Sequence, residues 1–225
     1  MIINICYLYY DLLNLYGEIG NIKALTKTFN DQKIKVVVDK KSIGDEIDFN
    51  KYDLIYIGCG TENNLLIALN DLIRYKDKIK EYIESNKFII ATGNSIDLFG
   101  GKINNTKALS IFNYNTKFID KRIVGDYIID SNLINSKIIG FQNRGSIIEN
   151  NDIPFIDKEV GVNYKNFYGT YLLGPILIRN PKLNKYIVTK IIKSKNNNFK
   201  FKKFDLKLDE EAYKSYFNTY VNSQK

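Results

Sequence analysis

Short apolar runs alternate with helix-like patterns through the first hundred residues, and this alternation limits the fold more than any other feature. The runs are short enough for strands and rich in β-branched residues; they cover residues 2–8, 34–38, 54–58 and 88–92. Between them, apolar side chains recur at helical spacing over residues 20–29, 65–73 and 79–83. Strands that alternate with helices of this size predict βαβ units around a mainly parallel sheet.

The second half of the chain is predicted to contain further strands and then two helices. Strand candidates, separated by Asn, Asp and Gly turns, lie at residues 127–129, 137–141 and 170–172. A helix is expected after Asn180 and Pro181, since Asn180 can cap it and Pro181 suits its first position. A polar connector at 195–203 then leads to an amphipathic helix over 209–221. No linker divides the sequence, so residues 1–225 are predicted to form one α/β domain with extra antiparallel strands in its second half.

The net charge of the chain does not by itself indicate a function. Lysine and arginine total 33 against 25 acidic residues, which gives a net charge of +8. Such an excess can attract nucleic acid or an anionic membrane. The lysines, however, occur along the whole chain without an Arg-rich block, and the sequence has no RNA-binding or zinc-finger motif. We therefore expect a lysine-rich solvated surface and no nucleic-acid partner.

The two cysteines, Cys6 and Cys59, both lie in apolar runs. They are predicted to be reduced core residues of a cytoplasmic protein. Two thiols cannot complete a four-ligand zinc site, so no metal is expected. The first residues lack a basic leader and a small-residue cleavage site, which argues against a signal peptide. No apolar run is long enough for a transmembrane segment.

The chain has no histidine, the side chain that most often transfers protons near neutral pH. Ser-His and Cys-His catalytic pairs and histidine-bound metal sites are therefore excluded, whatever the fold. A lysine base is conceivable, but nothing in the sequence marks one.

Two glycine-containing loops follow predicted strands, where ligands bind in open α/β sheets. One is the stretch from Gly58 to Glu62, and the other runs from Thr92 to Ser95. Glycines at strand ends let backbone N–H groups converge on an anion or oxyanion. The second loop fits a nucleophile elbow, a strained turn that presents one side chain. Each signal is weak alone, because glycine in such a turn more often serves the turn itself.

Several segments, taken in order, resemble class I glutamine amidotransferases of the CobB/CobQ type. The first and last are the most specific, and the likeness covers nearly the whole chain. The segments are residues 11–21 (DLLNLYGEIGN), 53–60 (DLIYIGCG), 122–126 (RIVGD), 140–145 (GFQNRG) and 169–177 (GTYLLGPIL).

The resemblance implies a flavodoxin-like class I glutamine amidotransferase fold, with a central mostly parallel sheet flanked by helices. In this family a cysteine at the elbow attacks the glutamine amide, a histidine transfers the proton, and glycine N–H groups hold the oxyanion. No cofactor is implied. The segments are most similar to the cell-wall branch of the family. There the ammonia passes to a Mur-ligase-like ATP-dependent synthetase of the MurT type, which amidates the D-glutamate of the peptidoglycan stem.

The sequence departs from the family at both decisive positions. The family's cysteine falls on Gly93 and its histidine falls on Leu173. Removing a catalytic nucleophile or its base can cost about 10⁶ in rate, so glutaminase activity is expected to be absent or vestigial. We predict a non-catalytic subunit that docks on the synthetase and stabilises or regulates it, while free ammonia or another source supplies nitrogen.

The resemblance also marks candidate substrate-binding residues. Arg122 matches a family arginine associated with holding glutamine, and a guanidinium fork suits an amino-acid carboxylate. A surface arginine paired with Asp120 or Asp126 is an alternative reading of the same residue. The other candidates for contact with substrate are Gly58, Gly60 and Asn94.

Two other functions stay open on the sequence. One is an active hydrolase with Cys59, Thr92 or Ser95 as a substitute nucleophile, although Cys59 is interpreted as structural and Ser95 as the N-cap of the next helix. The other is a module that binds glutamine in the vacated pocket. Asp97, on that next helix, is expected to be a cap or a surface carboxylate.

Overall fold

The structure, a computed structural model, describes residues 1–223. Within that range the strands form one seven-stranded sheet and one four-stranded sheet. Their bounds are β1 (Ile2–Leu8), β2 (Lys35–Lys41), β3 (Leu54–Ile57), β4 (Phe88–Thr92), β5 (Lys102–Ile103), β6 (Thr106–Lys107), β7 (Asn115–Ser131), β8 (Ser136–Glu149), β9 (Pro154–Phe155), β10 (Asp157–Tyr164) and β11 (Phe167–Thr170).

The seven-stranded sheet has the order β2-β1-β3-β4-β11-β10-β9. Its first five strands are parallel, and β10 and β9 are antiparallel additions at one edge. The predicted mostly parallel sheet with extra antiparallel strands is therefore confirmed. The strand predicted at 170–172 is displaced, because β11 ends at Thr170 and Leu173 pairs instead with Phe141 in an isolated bridge.

Helices cover both faces of this sheet. They are α1 (Ile19–Asp31), α2 (Glu62–Leu72), α3 (Lys76–Glu84), α4 (Ile176–Arg179), α5 (Pro181–Lys195) and α6 (Lys207–Ser223). Buried side chains of α1 and α5 form one hydrophobic core, and those of α2 and α3 form the other. Alternate residues of β3 contribute to the two cores, as expected of a strand buried on both sides. No helix within residues 1–223 is long and apolar enough to cross a membrane.

The second sheet is built on a long hairpin of β7 and β8, with β5 and β6 at its side. The sequence predicted only short strands at 127–129 and 137–141, which are parts of this hairpin. Charged and polar residues interrupt the apolar ones along β7 and weaken its apolar signal, although β7 pairs with β8 on both sides of a register shift between Phe118 and Ile123. The hairpin reaches the main sheet where Leu173 N–H donates to Phe141 O at 2.8 Å.

Two helix details differ from expectation. Helix α5 begins at Pro181 as predicted, but the Asn180 side chain makes no capping hydrogen bond. Its amide instead bridges the backbone of Ile139, accepting from N–H at 2.8 Å and donating to O at 2.7 Å. Ile73, predicted on the buried face of the helix over 65–73, is 45% exposed because a 3₁₀ turn follows α2.

The buried stripe of α5 supplies a test of the packing. Replacing Ile191, which is fully buried, by Ala should lower the free energy of unfolding by about 2–5 kcal/mol, because it leaves a cavity between helix and sheet. The measurement is urea unfolding. Lys193→Ala on the exposed side of the same helix serves as the control and should change it by less than about 0.5 kcal/mol. Equal losses in the two variants would contradict this packing.

Candidate active site at the carboxyl ends of the central strands

Strand β4 ends in the sharp turn that the sequence predicted. Thr92 is extended, Gly93 has φ +62°, and a 3₁₀ helix runs over Gly93–Phe99. A positive φ at this point is the geometry of a nucleophile elbow, and glycine adopts it without the strain that other residues meet. The turn therefore has the shape that presents a side chain, but residue 93 has none to present.

The two residues predicted to stand at the nucleophile and base positions, Gly93 and Leu173, lie close together. A Cβ built on Gly93 would lie 2.5 Å from Cys59 Sγ and 2.9 Å from Leu173 Cδ2. These distances are shorter than any stable contact between such atoms, so the space in front of residue 93 is already filled. The sequence placed Gly93 and Leu173 at one site; it did not show that Cys59 occupies the volume between them.

Cys59 is a thiol in a closed environment. It is 3% exposed, and Sγ lies 3.8 Å from Gly60 O, to which it donates weakly. Burial raises the pKa of this thiol to about 12, so it stays protonated at neutral pH. Reactive cysteines instead have lowered pKa values and partly exposed sulfur atoms. This environment favours the structural interpretation of Cys59.

The glycine loop after β3 is closed by a side chain from the elbow. Gly60 N–H donates to Asn94 Oδ1 at 3.1 Å, and Asn94 Nδ2 donates to Gly60 O at 2.8 Å. A Cβ at Gly58 would collide with the backbone oxygen of Leu13, which explains why glycine is needed there. The backbone donor at Gly60 that could hold an oxyanion is thus engaged inside the protein.

Arg122 has a partner that the sequence did not suggest. Its guanidinium pairs with Glu62 at 2.5 Å rather than with Asp120 or Asp126. It also donates from Nε to Asn143 Oδ1 at 2.9 Å and from NH2 to Asn143 O at 3.0 Å. The charge that would attract a substrate carboxylate is therefore already balanced by a carboxylate at the start of α2.

A buried acid beneath the glycine loop escaped the sequence analysis. Glu18 is fully buried, and its Oε2 accepts from the hydroxyls of Tyr56 and Thr92 and from Asn21 Nδ2. Burial raises the pKa of Glu18 to about 7, against the lowering effect of these hydrogen bonds. Its Oε1 has no hydrogen-bond partner among residues 1–223. The segment 11–21 was singled out as a motif, but its acid could not be assigned a partner from sequence.

Two expectations on the helix after the elbow were wrong. Ser95 is not an N-cap, since its hydroxyl donates to the backbone oxygens of Thr92 at 2.8 Å and Ile57 at 3.1 Å. Asp97 is not at the surface; it is fully buried and accepts hydrogen bonds from Tyr171 and Ser146. Burial raises the pKa of Asp97 to about 7. Both side chains form hydrogen bonds that link the short helix to neighbouring segments of the chain.

Comparison with known families identifies the architecture around this site. Residues 4–181 match the model of the CobB/CobQ-like glutamine amidotransferase domain. The chain is 31% identical over 221 residues to lipid II isoglutaminyl synthase (glutamine-hydrolyzing) subunit GatD of Staphylococcus aureus (strain N315), covering 90% of this chain and 89% of the relative. It is 30% identical over 214 residues to the subunit of the same name in Streptococcus pneumoniae (strain ATCC BAA-255 / R6), covering 86% and 82%.

Solved structures share the fold at low sequence identity. One, a glutamine amidotransferase, superposes with a TM-score of 0.54 at 11% identity and covers 83% of this chain and 98% of its own. Another, a glutamine amidotransferase of Thermotoga maritima, gives a TM-score of 0.52 at 10% identity, covering 95% and 92%. These similarities confirm the predicted fold.

The filled space at the elbow predicts a specific pattern of stability. Gly93→Cys should lower the free energy of unfolding by about 1–3 kcal/mol, because its Cβ meets Cys59 and residue 93 keeps a positive φ. Adding Cys59→Gly should recover part of that loss, giving a favourable coupling in a double-mutant cycle measured by urea unfolding. Additive losses would show that the two side chains do not compete for one volume.

The two buried acids predict how stability depends on pH. Their pKa values are raised to about 7 in the folded protein, so the folded state binds these protons more tightly than the unfolded state. The resulting contribution to the free energy of unfolding is fully present below about pH 4. It is lost as the pH rises towards 7, by at most about 1.4 kcal/mol per pH unit for each acid. Glu18→Gln and Asp97→Asn should each flatten the slope between about pH 5 and 7 in urea unfolding.

The matched control for this experiment is Glu46→Gln, which removes an exposed carboxylate. It should leave the slope between about pH 5 and 7 unchanged. A slope as steep as that of the unmodified protein in both buried-acid variants, or a flattened slope in the control, would contradict the assignment.

Proposed function

Because this chain belongs to the family of CobB/CobQ-like glutamine amidotransferases, we propose that it is a GatD-like subunit that does not hydrolyse glutamine. The observation that carries the proposal is the composition of the elbow site. Gly93 offers no nucleophile, Leu173 stands at the base position, and Cys59 fills the space between them. An architecture shared with the relatives over most of the chain, around a centre without these groups, favours a role in binding another protein.

The relatives suggest the process and the partner. Both are named as subunits of lipid II isoglutaminyl synthase. We propose that this chain docks on a Mur-ligase-like ATP-dependent synthetase of the MurT type in the cytoplasm, and that it stabilises or regulates that enzyme during amidation of the D-glutamate of lipid II. Free ammonia or a separate glutaminase would then supply the nitrogen.

Glutamine hydrolysis needs a nucleophile and then a proton donor, and this site supplies neither. The first step needs a nucleophile that bonds to the amide carbon while an oxyanion forms on the amide oxygen. Gly93 has no such atom, and the Gly60 N–H is engaged by Asn94. The second step needs a proton for the departing ammonia, and Leu173 cannot supply one. No histidine elsewhere in the chain can replace it.

The strongest alternative nucleophile is Thr92, whose hydroxyl donates to the Glu18 carboxylate. A hydroxyl next to a carboxylate of raised pKa has the elements of a nucleophile and a base. Both side chains are fully buried, however, and the Thr92 hydroxyl also lies 2.8 Å from Tyr56 OH within a closed network. Burial of this pair therefore supports a structural role.

The pairing of Arg122 with Glu62 also bears on the third possibility, a glutamine-binding module. An incoming carboxylate would have to displace Glu62 from the guanidinium and break two hydrogen bonds to Asn143. Affinity for glutamine is therefore not favoured in this arrangement.

The test is an amidation assay on the complex with the MurT-type synthetase of the same organism. With lipid II, ATP and ammonium salt the complex should form amidated product, and with glutamine in place of ammonium it should form none. Release of glutamate from glutamine, followed separately, should stay at background. The Staphylococcus aureus relative, named as glutamine-hydrolyzing, is the positive control.

Two results would contradict the proposal. Glutamate release at a rate comparable with the control would remove the claim of inactivity. Failure of the chain to co-purify with the synthetase would remove the claim of a partner.

A further inference from the structure

The positive charge of the chain is concentrated in one segment. Residues 182–207 contain nine lysines and one acid, Asp205, so this segment has a net charge of +8. That equals the net charge of the whole chain, and the remaining residues hold twenty-four basic and twenty-four acidic side chains. Lysines occur throughout the sequence, as expected. Their excess over acidic residues, however, lies within residues 182–207.

The fold brings six of these nine lysines together on one face, whereas Lys195 pairs with Asp53 at 2.8 Å. Helix α5 buries its apolar stripe against the central sheet and turns its lysines outward. The connector between α5 and α6, which the structure places at residues 196–206, folds back along the helix, so that Lys185 Nζ lies 5.0 Å from the centre of the Phe204 ring. Five of these six lysines are exposed, and Lys190 is half-buried; the exposed ones are Lys182, Lys185, Lys193, Lys203 and Lys207.

The connector is held in place, which makes the face a defined surface. Lys202 N–H donates to Gln32 Oε1 at 2.8 Å, and Gln32 Nε2 donates to Lys202 O at 3.3 Å. Three aromatic rings alternate with the lysines and pack against the core and one another; they are Phe199, Phe201 and Phe204. The predicted polar connector is thus anchored by its aromatic residues and by the backbone of Lys202.

Two adjoining grooves run across this face, with volumes of about 530 and 510 Å³. They share Lys185, Leu206 and Glu210. The acids that face the grooves are fewer than the lysines and come from the connector and α6; they are Asp205, Glu210 and Glu211. Leu208, which follows the groove residue Lys207 in the chain, is 78% exposed, the largest exposed fraction among the large apolar side chains of the described residues.

We propose that this basic face, formed by α5, the connector and the start of α6, binds the anionic headgroups of a membrane surface. Clustered lysines are attracted to anionic lipid, and each lysine near the membrane surface adds to this electrostatic attraction. An exposed Leu beside such a cluster can enter the interface between headgroups and acyl chains, as apolar residues of peripheral proteins do. Both features, charge and an exposed apolar residue, occur together here.

The choice of a membrane over other polyanions rests on the proposed function. A subunit that serves amidation of a lipid-linked substrate gains from residence at the surface where that substrate lies. A nucleic acid would satisfy the lysines but would give Leu208 no apolar contact. The proposal thus assigns membrane attachment to the basic face. The elbow site takes no part in that attachment.

The experiment measures co-sedimentation of the full chain with vesicles, without synthetase or glutamine. The chain should bind vesicles of equal parts phosphatidylglycerol and phosphatidylcholine, should not bind pure phosphatidylcholine, and should be released as salt is raised. The variant with Lys182→Gln, Lys193→Gln, Lys203→Gln and Lys207→Gln should bind at least about tenfold more weakly. Leu208→Ser should weaken binding severalfold without changing its dependence on salt.

The matched control removes four exposed lysines from the opposite face of the sheet and from the second sheet: Lys80→Gln, Lys102→Gln, Lys107→Gln and Lys117→Gln. It carries the same net charge as the first variant and should retain most of the binding. Equal weakening in both variants, or no binding to the anionic vesicles, would overturn the proposal. So would lysine-dependent binding to duplex RNA with none to vesicles. Because no synthetase is present, failure here leaves the docking proposal to its own test.

Discussion

The arrangement of the site depends on one packing relation, in which the sulfur of Cys59 occupies the volume in front of Gly93 and Leu173. A side chain at residue 93 would lie 2.5 Å from that sulfur, so the elbow and the glycine loop fit together only while residue 93 is glycine. Close packing of this kind leaves no vacant cavity for a reacting amide. The turn therefore has the geometry of a nucleophile elbow, while the space in front of it is packed with the protein's own atoms.

The polar groups around Gly93 also have partners within the protein. Asn94 satisfies the backbone of Gly60, Glu62 balances Arg122, and the acid beneath the loop is bound by two hydroxyls and an amide. A buried donor or acceptor without a partner is costly, so these internal partners stabilise the closed arrangement of the site. In a working hydrolase such groups must stay available for the transition state, at some expense in stability.

The sequence predicted the central sheet well because its strands are apolar runs whose pattern depends only on neighbouring residues. It also brought Gly93 and Leu173 together through their place in a recognisable family. It missed the environments of Glu18 and Asp97, since their hydroxyl partners lie between 19 and 74 residues away along the chain. The same reason hid the pairing of Arg122, whose partner Glu62 is 60 residues distant. Long-range contacts decide whether a carboxylate is solvated or buried, and a local pattern contains no record of them.

The central claim is that no side chain in the elbow site is chemically reactive, and covalent labelling tests it most directly. The purified chain, alone and in complex with its synthetase, is treated with an electrophilic glutamine analogue and mapped by mass spectrometry, with the Staphylococcus aureus relative as a labelled standard. The account predicts no modification under conditions that label the standard fully. Stoichiometric modification of Cys59, Thr92 or Ser95 would contradict it.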